Sequence, residues 1–103
     1  MECIIFVGLP GSGKSSFYKD RFFATHVRIS LDLMNTRGRE RRLMEACLAA
    51  GQRFVVDNTN PTRADRVKYI ETAKQARFTV IGYYFDSIVE DCLRGSRRGR
   101  LID

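Results

Sequence analysis

Cys3-Ile4-Ile5-Phe6-Val7-Gly8-Leu9-Pro10-Gly11-Ser12-Gly13-Lys14-Ser15 decides the fold of this chain. The first five residues form an apolar, strand-prone run. Gly8 to Ser15 then fits the phosphate-loop (Walker A) pattern G-x-x-x-x-G-K-[ST] at every fixed position. Glycines keep Cβ atoms out of a loop whose main-chain amides must approach a phosphate chain closely. The helix that follows aims its free amides and its positive dipole end at the same anion. Lys14 supplies a mobile positive charge for the outer phosphates, and the Ser15 hydroxyl is a ligand for the accompanying Mg²⁺. Gly8, Pro10, Gly11, Ser12, Gly13, Lys14, Ser15 and Ser16 are therefore the candidate phosphate-binding residues. A glycine-rich turn alone explains neither the Lys-Ser pair nor the strand before it.

Composition sets the outer bounds. At 103 residues, 44% hydrophobic and 29% charged, the chain reads as one small soluble domain spanning 1–103. Apolar runs stay far below the ~20 residues of a membrane span, and the first residues are too short and too acidic for a signal peptide, so a cytoplasmic setting without membrane contact is expected. Cys3, Cys47 and Cys92 are widely spaced and lack C-x-x-C pairing, as buried free thiols in a reducing compartment would be. His26 has no second ligand at metal spacing. The net charge of +6 is carried by fourteen arginines against four lysines. Because guanidinium groups bind phosphates in a bidentate manner, that bias favours a nucleotide or nucleic acid as partner.

Read onward, the chain alternates strands and helices. Ser15 to Phe23 is expected as the first helix, with Phe17, Phe22 and Phe23 turned to the sheet. The run 27–31 is the second strand, ending at Asp32. Leu43, Ala46, Cys47 and Ala50 recur at helical spacing and define one buried face, closed by Gly51 as the helix C-terminal glycine. Gly38 is expected to interrupt the start of that helix and to leave the segment 37–42 exposed. Residues 53–57 form the third strand, ending in Asp57. Asn60 is a candidate N-cap with Pro61 at the first helical position, and the helix to Gln75 turns Ala64, Val67, Ile70 and Ala73 inward. Residues 78–85 make the fourth strand. Ser87 and Glu90 form a capping box for a last helix running toward Arg94.

Such alternation implies an α/β fold of three layers, the P-loop NTPase architecture, around a parallel sheet. Ligands bind there beyond the carboxyl ends of the strands, which here carry the Gly8 loop, Asp32 and Asp57. Phosphoryl transfer needs positioning and charge stabilisation at such an edge. Asp57 suits the carboxylate that orients Mg²⁺, or else a strand-end turn residue. Asp32 suits the base that accepts a hydroxyl proton, or a helix N-cap, and the two roles are compatible. Arg94, Arg97, Arg98 and Arg100 read either as a lid that closes over phosphates or as a solvated basic tail.

The Gly8–Ser15 loop, the Asp after strand two, Val56-Asp57-Asn58-Thr59-Asn60-Pro61 and the late Arg-x-x-x-Arg together resemble the kinase domain of polynucleotide 5′-hydroxyl kinases. The likeness extends over nearly the whole chain, and the Asp-Asn-Thr-Asn-Pro turn is its most specific piece after the phosphate loop. It implies ATP and Mg²⁺ as cofactors and a 5′-hydroxyl nucleic acid as acceptor. By the same resemblance Asp32 is the general base, the lid arginine Arg98, with Arg94 one turn earlier, contacts the donor phosphates beside Lys14, and Asn58 helps to arrange the acceptor side; Asn35, Arg37 and Asn60 are further candidate substrate-binding residues. Two departures stand out. Leu31 and Asn35 occupy positions where family members often carry arginine, leaving Arg37 or Arg39 to take the acceptor phosphate. The sequence also ends just after the lid arginines, short of the fifth strand and last helix of a full fold, so its exposed parallel edge would favour pairing with a second copy. A kinase for a small-molecule acceptor and a nucleotide-binding module with little or no hydrolysis are the competing readings. The arginines of 37–42 favour the polynucleotide acceptor over a small one.

Overall fold

A computed structural model describes residues 1–9, 11–60, 62–85 and 98–101, with Asp32 and residues 98–101 described by their backbone alone. The order is β1 (Glu2–Val7), α1 (Lys14–Arg21), β2 (Val27–Ile29), α2 (Leu31–Met34), α3 (Arg37–Ala50), β3 (Phe54–Asp57), α4 (Arg63–Gln75), β4 (Thr79–Tyr84) and β5 (Arg98–Leu101). The strands form one sheet in the order β2-β3-β1-β4-β5. The first four are mutually parallel, while β5 runs antiparallel to β4. No helix among the described residues is long and apolar enough to cross a membrane.

The inner strands lack polar alternation because both of their faces are covered, as in parallel sheets generally. Cys3, Ile5, Phe54 and Val56 point to one core, which α3 and α4 close with Met44, Cys47, Tyr69, Ile70 and Ala73. Ile4, Phe6 and Val55 point the other way, to an aromatic core with Phe17 and Tyr18 of α1 and with Phe22 and Phe85. Phe6 sits at its centre, with the rings of Phe17, Phe22 and Phe85 at 4.9–6.0 Å and tilted or edge-on, the favourable arrangements for π systems. The three layers expected from the sequence are present.

Several local expectations are corrected. After Arg21 the chain leaves the helix through a turn in which Phe22 O accepts from both Thr25 N and His26 N, so Phe22 is buried but Phe23 is 72% exposed. The buried face of α3 is Glu40, Met44 and Cys47, with Ala46 and Ala50 exposed. That helix begins at a Thr36 cap, whose hydroxyl accepts from Arg39 N–H, and Gly38 lies within it; the break falls instead at Asn35, where φ is +71°. Gly51 does close the helix in the left-handed region. In α4, Ala64 is exposed and Val67 only half-buried, while Tyr69 joins Ile70 and Ala73 inside. Its N-cap is Thr62, in a capping box with Asp65, not Asn60. The two hydrogen bonds from Thr62 hold the Asp65 carboxyl below the usual carboxylate range.

The carboxy-terminal end differs most. Arg98 and Arg100 belong to strand β5, and β5 covers the β4 edge that was expected to be bare. The reason given for self-association therefore disappears at that edge. The capping box of Ser87 and Glu90, the last helix, Cys92, Arg94 and Arg97 lie outside the described residues, as do Pro10 and Pro61.

Candidate functional site

Strand order brings the candidate residues together. Because β3 lies between β1 and β2 and all three are parallel, their carboxyl ends form one edge that carries Gly8, Asp57 and the start of α2. The start of the loop is tied to the strands on either side of β1. Gly8 N–H donates to Thr59 O at 3.1 Å, and Phe85 N–H donates to Val7 O. A Cβ at Gly8 would meet Phe85 Cβ at 2.8 Å and Ser12 Oγ at 3.0 Å, so only glycine fits. Gly13, at φ +95°, caps α1 without a side chain, and Phe17 N–H closes the first turn on Gly13 O. The amides of Lys14, Ser15 and Ser16 thus have no acceptor within their own helix and face the loop. Ser12 is buried, and its hydroxyl has no hydrogen-bond partner among the described residues.

Asp57 is the charged centre of the edge. Its side chain is 3% exposed, and Lys14 Nζ stands 3.5 Å from Oδ1. Arg28 donates to Oδ2 from Nε at 2.8 Å and approaches it with Nη2 at 2.6 Å. The same Nη2 donates to Ser15 Oγ at 2.9 Å. Beyond its ion pair with Lys14, Asp57 Oδ1 accepts no hydrogen bond among the described residues. A serine hydroxyl and a buried carboxylate with an open lone pair are hard oxygen donors of the kind Mg²⁺ takes while keeping several waters, so these residues fit that ion. Among the described residues no three His, Cys, Asp or Glu side chains cluster as a wholly protein-built metal site would require.

A second polar cluster, centred on the buried Glu40, lies at the same edge. Asn58 Oδ1 accepts from Leu31 N–H at 2.8 Å, tying the turn after β3 to the first residue of α2. Asn58 Nδ2 donates to Glu40 Oε2 at 2.6 Å and to Tyr69 OH at 3.2 Å. Tyr69 OH donates to Glu40 Oε1 at 2.9 Å, and Arg37 Nη1 donates to Tyr69 OH at 3.1 Å. Burial, the hydrogen bond to Glu40 and the Glu40 charge push the Tyr69 hydroxyl up to about 12, against the opposing pull of Arg37 and Asn58. The cluster positions Leu31, and hence the backbone of Asp32, against β3.

The sequence candidates do not all meet at one point. Lys14, Ser15 and Asp57 meet within one ion-pair and hydrogen-bond network, with the Gly8–Ser16 loop around them. Asp32 is the second residue of α2, at the same edge by backbone, and its side chain lies outside the described residues. Asn35 is an exposed turn residue, Arg37 is 60% exposed at the rim of the Glu40 cluster, and Asn58 is that cluster's hub. Asn60 is different: at φ +46° its buried amide donates to Phe6 O at 2.9 Å, which locks the turn to β1 and leaves it no free face toward an acceptor. Arg98 pairs with Tyr84 at the carboxyl end of β4, so its backbone lies at the loop-bearing end of the sheet.

Three residues were missed. Arg28 alternates with Val27 and Ile29, and a half-buried charge in a strand needs a partner; that was the available signal. Glu40 lies four and seven residues before Met44 and Cys47, on their buried face, but was hidden among arginines. Tyr69 carried no signal separable from an ordinary core aromatic.

The chain matches no protein-family model. It is 36% identical over 78 residues to a putative bifunctional polynucleotide phosphatase/kinase of Acanthamoeba polyphaga mimivirus, a match covering 75% of this chain and 18% of that protein. The bifunctional polynucleotide phosphatase/kinase of Schizosaccharomyces pombe is 29% identical over 75 residues, covering 72% of this chain and 18% of its own length. A chain of the solved Pnkp1/Rnl/Hen1 complex superposes on 98% of this chain with a TM-score of 0.61, at 24% identity and over 40% of its own length. Over about three quarters of its length the chain is similar to bifunctional polynucleotide phosphatase/kinases. It spans about a fifth of the length of the curated relatives it matches. The phosphate-loop α/β fold is the one this resemblance implies.

Proposed function

We propose that this polynucleotide kinase-like domain transfers the γ-phosphate of ATP to a 5′-hydroxyl of a polynucleotide, with Mg²⁺ as cofactor. One observation carries the reading: Lys14, Ser15 and Asp57 meet at the sheet edge where α2 presents the backbone of Asp32. The amides of the Gly8–Ser16 loop and the α1 N-terminus bind the donor phosphates, and Lys14 neutralises their outer charge. Ser15 Oγ and Asp57 hold the metal ion, which when bound offsets charge on the donor phosphates. Asp32 accepts the proton of the attacking hydroxyl. Asn58 keeps α2 in place for that step through its bond to Leu31 N–H, and Arg37 with Asn35 flanks the acceptor. Arg98, whose backbone lies at the loop-bearing end of the sheet, contacts the donor phosphates, a role the sequence resemblance also gives Arg94.

Magnesium-dependent transfer of labelled γ-phosphate to a 5′-hydroxyl oligonucleotide, run beside a panel of small alcohols, tests this. Transfer to the oligonucleotide is expected, and Asp32→Asn should abolish it while sparing ATP affinity. Transfer to alcohols alone, or nucleotide binding with no transfer, would overturn the proposal.

A further inference from the structure

The position of Arg28 is not explained by binding phosphate. Its guanidinium joins the two residues proposed to hold the metal ion: one nitrogen, Nη2, lies 2.6 Å from Asp57 Oδ2 and 2.9 Å from Ser15 Oγ, while Nε adds a 2.8 Å bond to Oδ2. The side chain has little freedom to drift there by chance. It springs from the middle of β2, in register with Val55 of β3, and its Cζ lies 5.5 Å from the centroid of the Tyr18 ring of α1, a cation–π contact.

We infer that Arg28 is a resident counter-cation of the metal site, which holds Ser15 and Asp57 together, excludes free divalent ions and yields only when a triphosphate arrives. A divalent ion at Mg²⁺ bonding distance from Ser15 Oγ, roughly 2.1 Å, would stand only about 4 Å from an Nη2 hydrogen-bonded to that same oxygen. Asp57 already faces two cations, since Lys14 Nζ is 3.5 Å from its other oxygen. A third positive centre at contact distance from Arg28, beside one buried carboxylate already shared by two cations, is repelled. A triphosphate reverses the balance by bringing several negative charges for Lys14 and Arg28 to turn toward. Metal binding thereby becomes conditional on nucleotide.

The inference rests on the Ser15 and Asp57 part of the proposed function but not on the acceptor, and its test uses neither nucleotide nor polynucleotide. Mn²⁺ binding to the nucleotide-free protein is followed by loss of the free-ion electron paramagnetic resonance signal and by titration calorimetry. Arg28→Met keeps an apolar stem on Tyr18, and Arg28→Gln keeps polarity without charge; circular dichroism identifies which of them is folded. Each folded variant should bind one Mn²⁺ at least tenfold more tightly than the wild type, and adding Ser15→Ala should remove the gain. Affinity equal to the wild type in a folded variant, or a gain that survives Ser15→Ala, would overturn the inference. Should neither variant fold, Arg28→Lys, with a shorter cation that cannot make the two-point contact, is expected to bind Mn²⁺ more tightly than the wild type, and no gain there refutes it. A protein that passes this test and fails to phosphorylate the oligonucleotide would refute the proposed acceptor alone.

Discussion

Replacing Tyr69 with phenylalanine deletes one oxygen from the cluster that anchors α2 and leaves the ring in the core. That oxygen donates to Glu40 Oε1 at 2.9 Å and accepts from Arg37 and Asn58 at 3.1 and 3.2 Å. Glu40 is 3% exposed, and without the hydroxyl its Oε1 keeps only Arg37 Nη1, at 3.4 Å. A hydrogen bond to a charged group contributes about 1.5–3 kcal/mol, so a loss of about 2 kcal/mol is expected. In a domain of this size each kcal/mol moves the melting temperature by roughly 4–8 °C, giving a fall of about 8–16 °C. Urea denaturation should show a lower midpoint with an unchanged slope. A second signature lies at alkaline pH. The Tyr69 hydroxyl is raised from 10.0 to about 12, so the folded protein keeps its proton to higher pH than the unfolded chain does. The stability this contributes is complete below about pH 10 and is lost as pH rises toward 12. Tyr69→Phe should therefore lose stability less steeply than the wild type across that window. The buried Cys3 thiol, raised from 9.0 to about 12, adds a similar decline to both proteins and cancels in the comparison. A stability loss under about 0.5 kcal/mol together with parallel alkaline limbs would refute the role given to this cluster.

Two further outcomes follow from packing. Gly8→Ala places a methyl group 2.8 Å from Phe85 Cβ and 3.2 Å from the Phe85 carbonyl oxygen, which cannot rotate away. It should destabilise the fold by about 1–3 kcal/mol and weaken ATP binding at least tenfold by calorimetry; unchanged melting would show that the loop is not wedged against β4. Cys3 and Cys47 are buried, and burial raises both thiols. Neither should react with a chromogenic disulfide reagent at pH 8 until guanidinium is added, and rapid labelling of Cys3 in the native protein would contradict the packing of β1.

Much of the architecture was legible because it is written in local patterns. Strand-loop-helix at Cys3–Ser15, apolar runs at the strands and Gly51 at a helix end are set by backbone sterics and burial within a few residues. Errors of face arose where a polar group was drawn inward. Glu40 turns α3 so that Ala46 and Ala50 face solvent, because a carboxylate bonded to Asn58 and Tyr69 outweighs two small alanines. The Asn60 cap failed for a similar reason: its amide finds Phe6 O, 54 residues earlier in the chain, and Thr62 takes the helix start instead. The strand at Arg98–Leu101 could not be read locally, since an arginine-rich segment acquires strand character only through its ladder with β4.

The sequence by itself determined that a phosphate loop sits between a strand and a helix, and that Asp32 and Asp57 stand near the ends of two further strands. Those features depend on residue type and spacing alone. Only the tertiary structure decided that β3 lies between β1 and β2, which brings Lys14, Ser15 and Asp57 within ion-pair and hydrogen-bond reach of one another and of Arg28. Long-range contacts of that kind depend on which strands become neighbours and on where a long, charged side chain finds its buried partner, and neither is encoded in any short stretch of the chain.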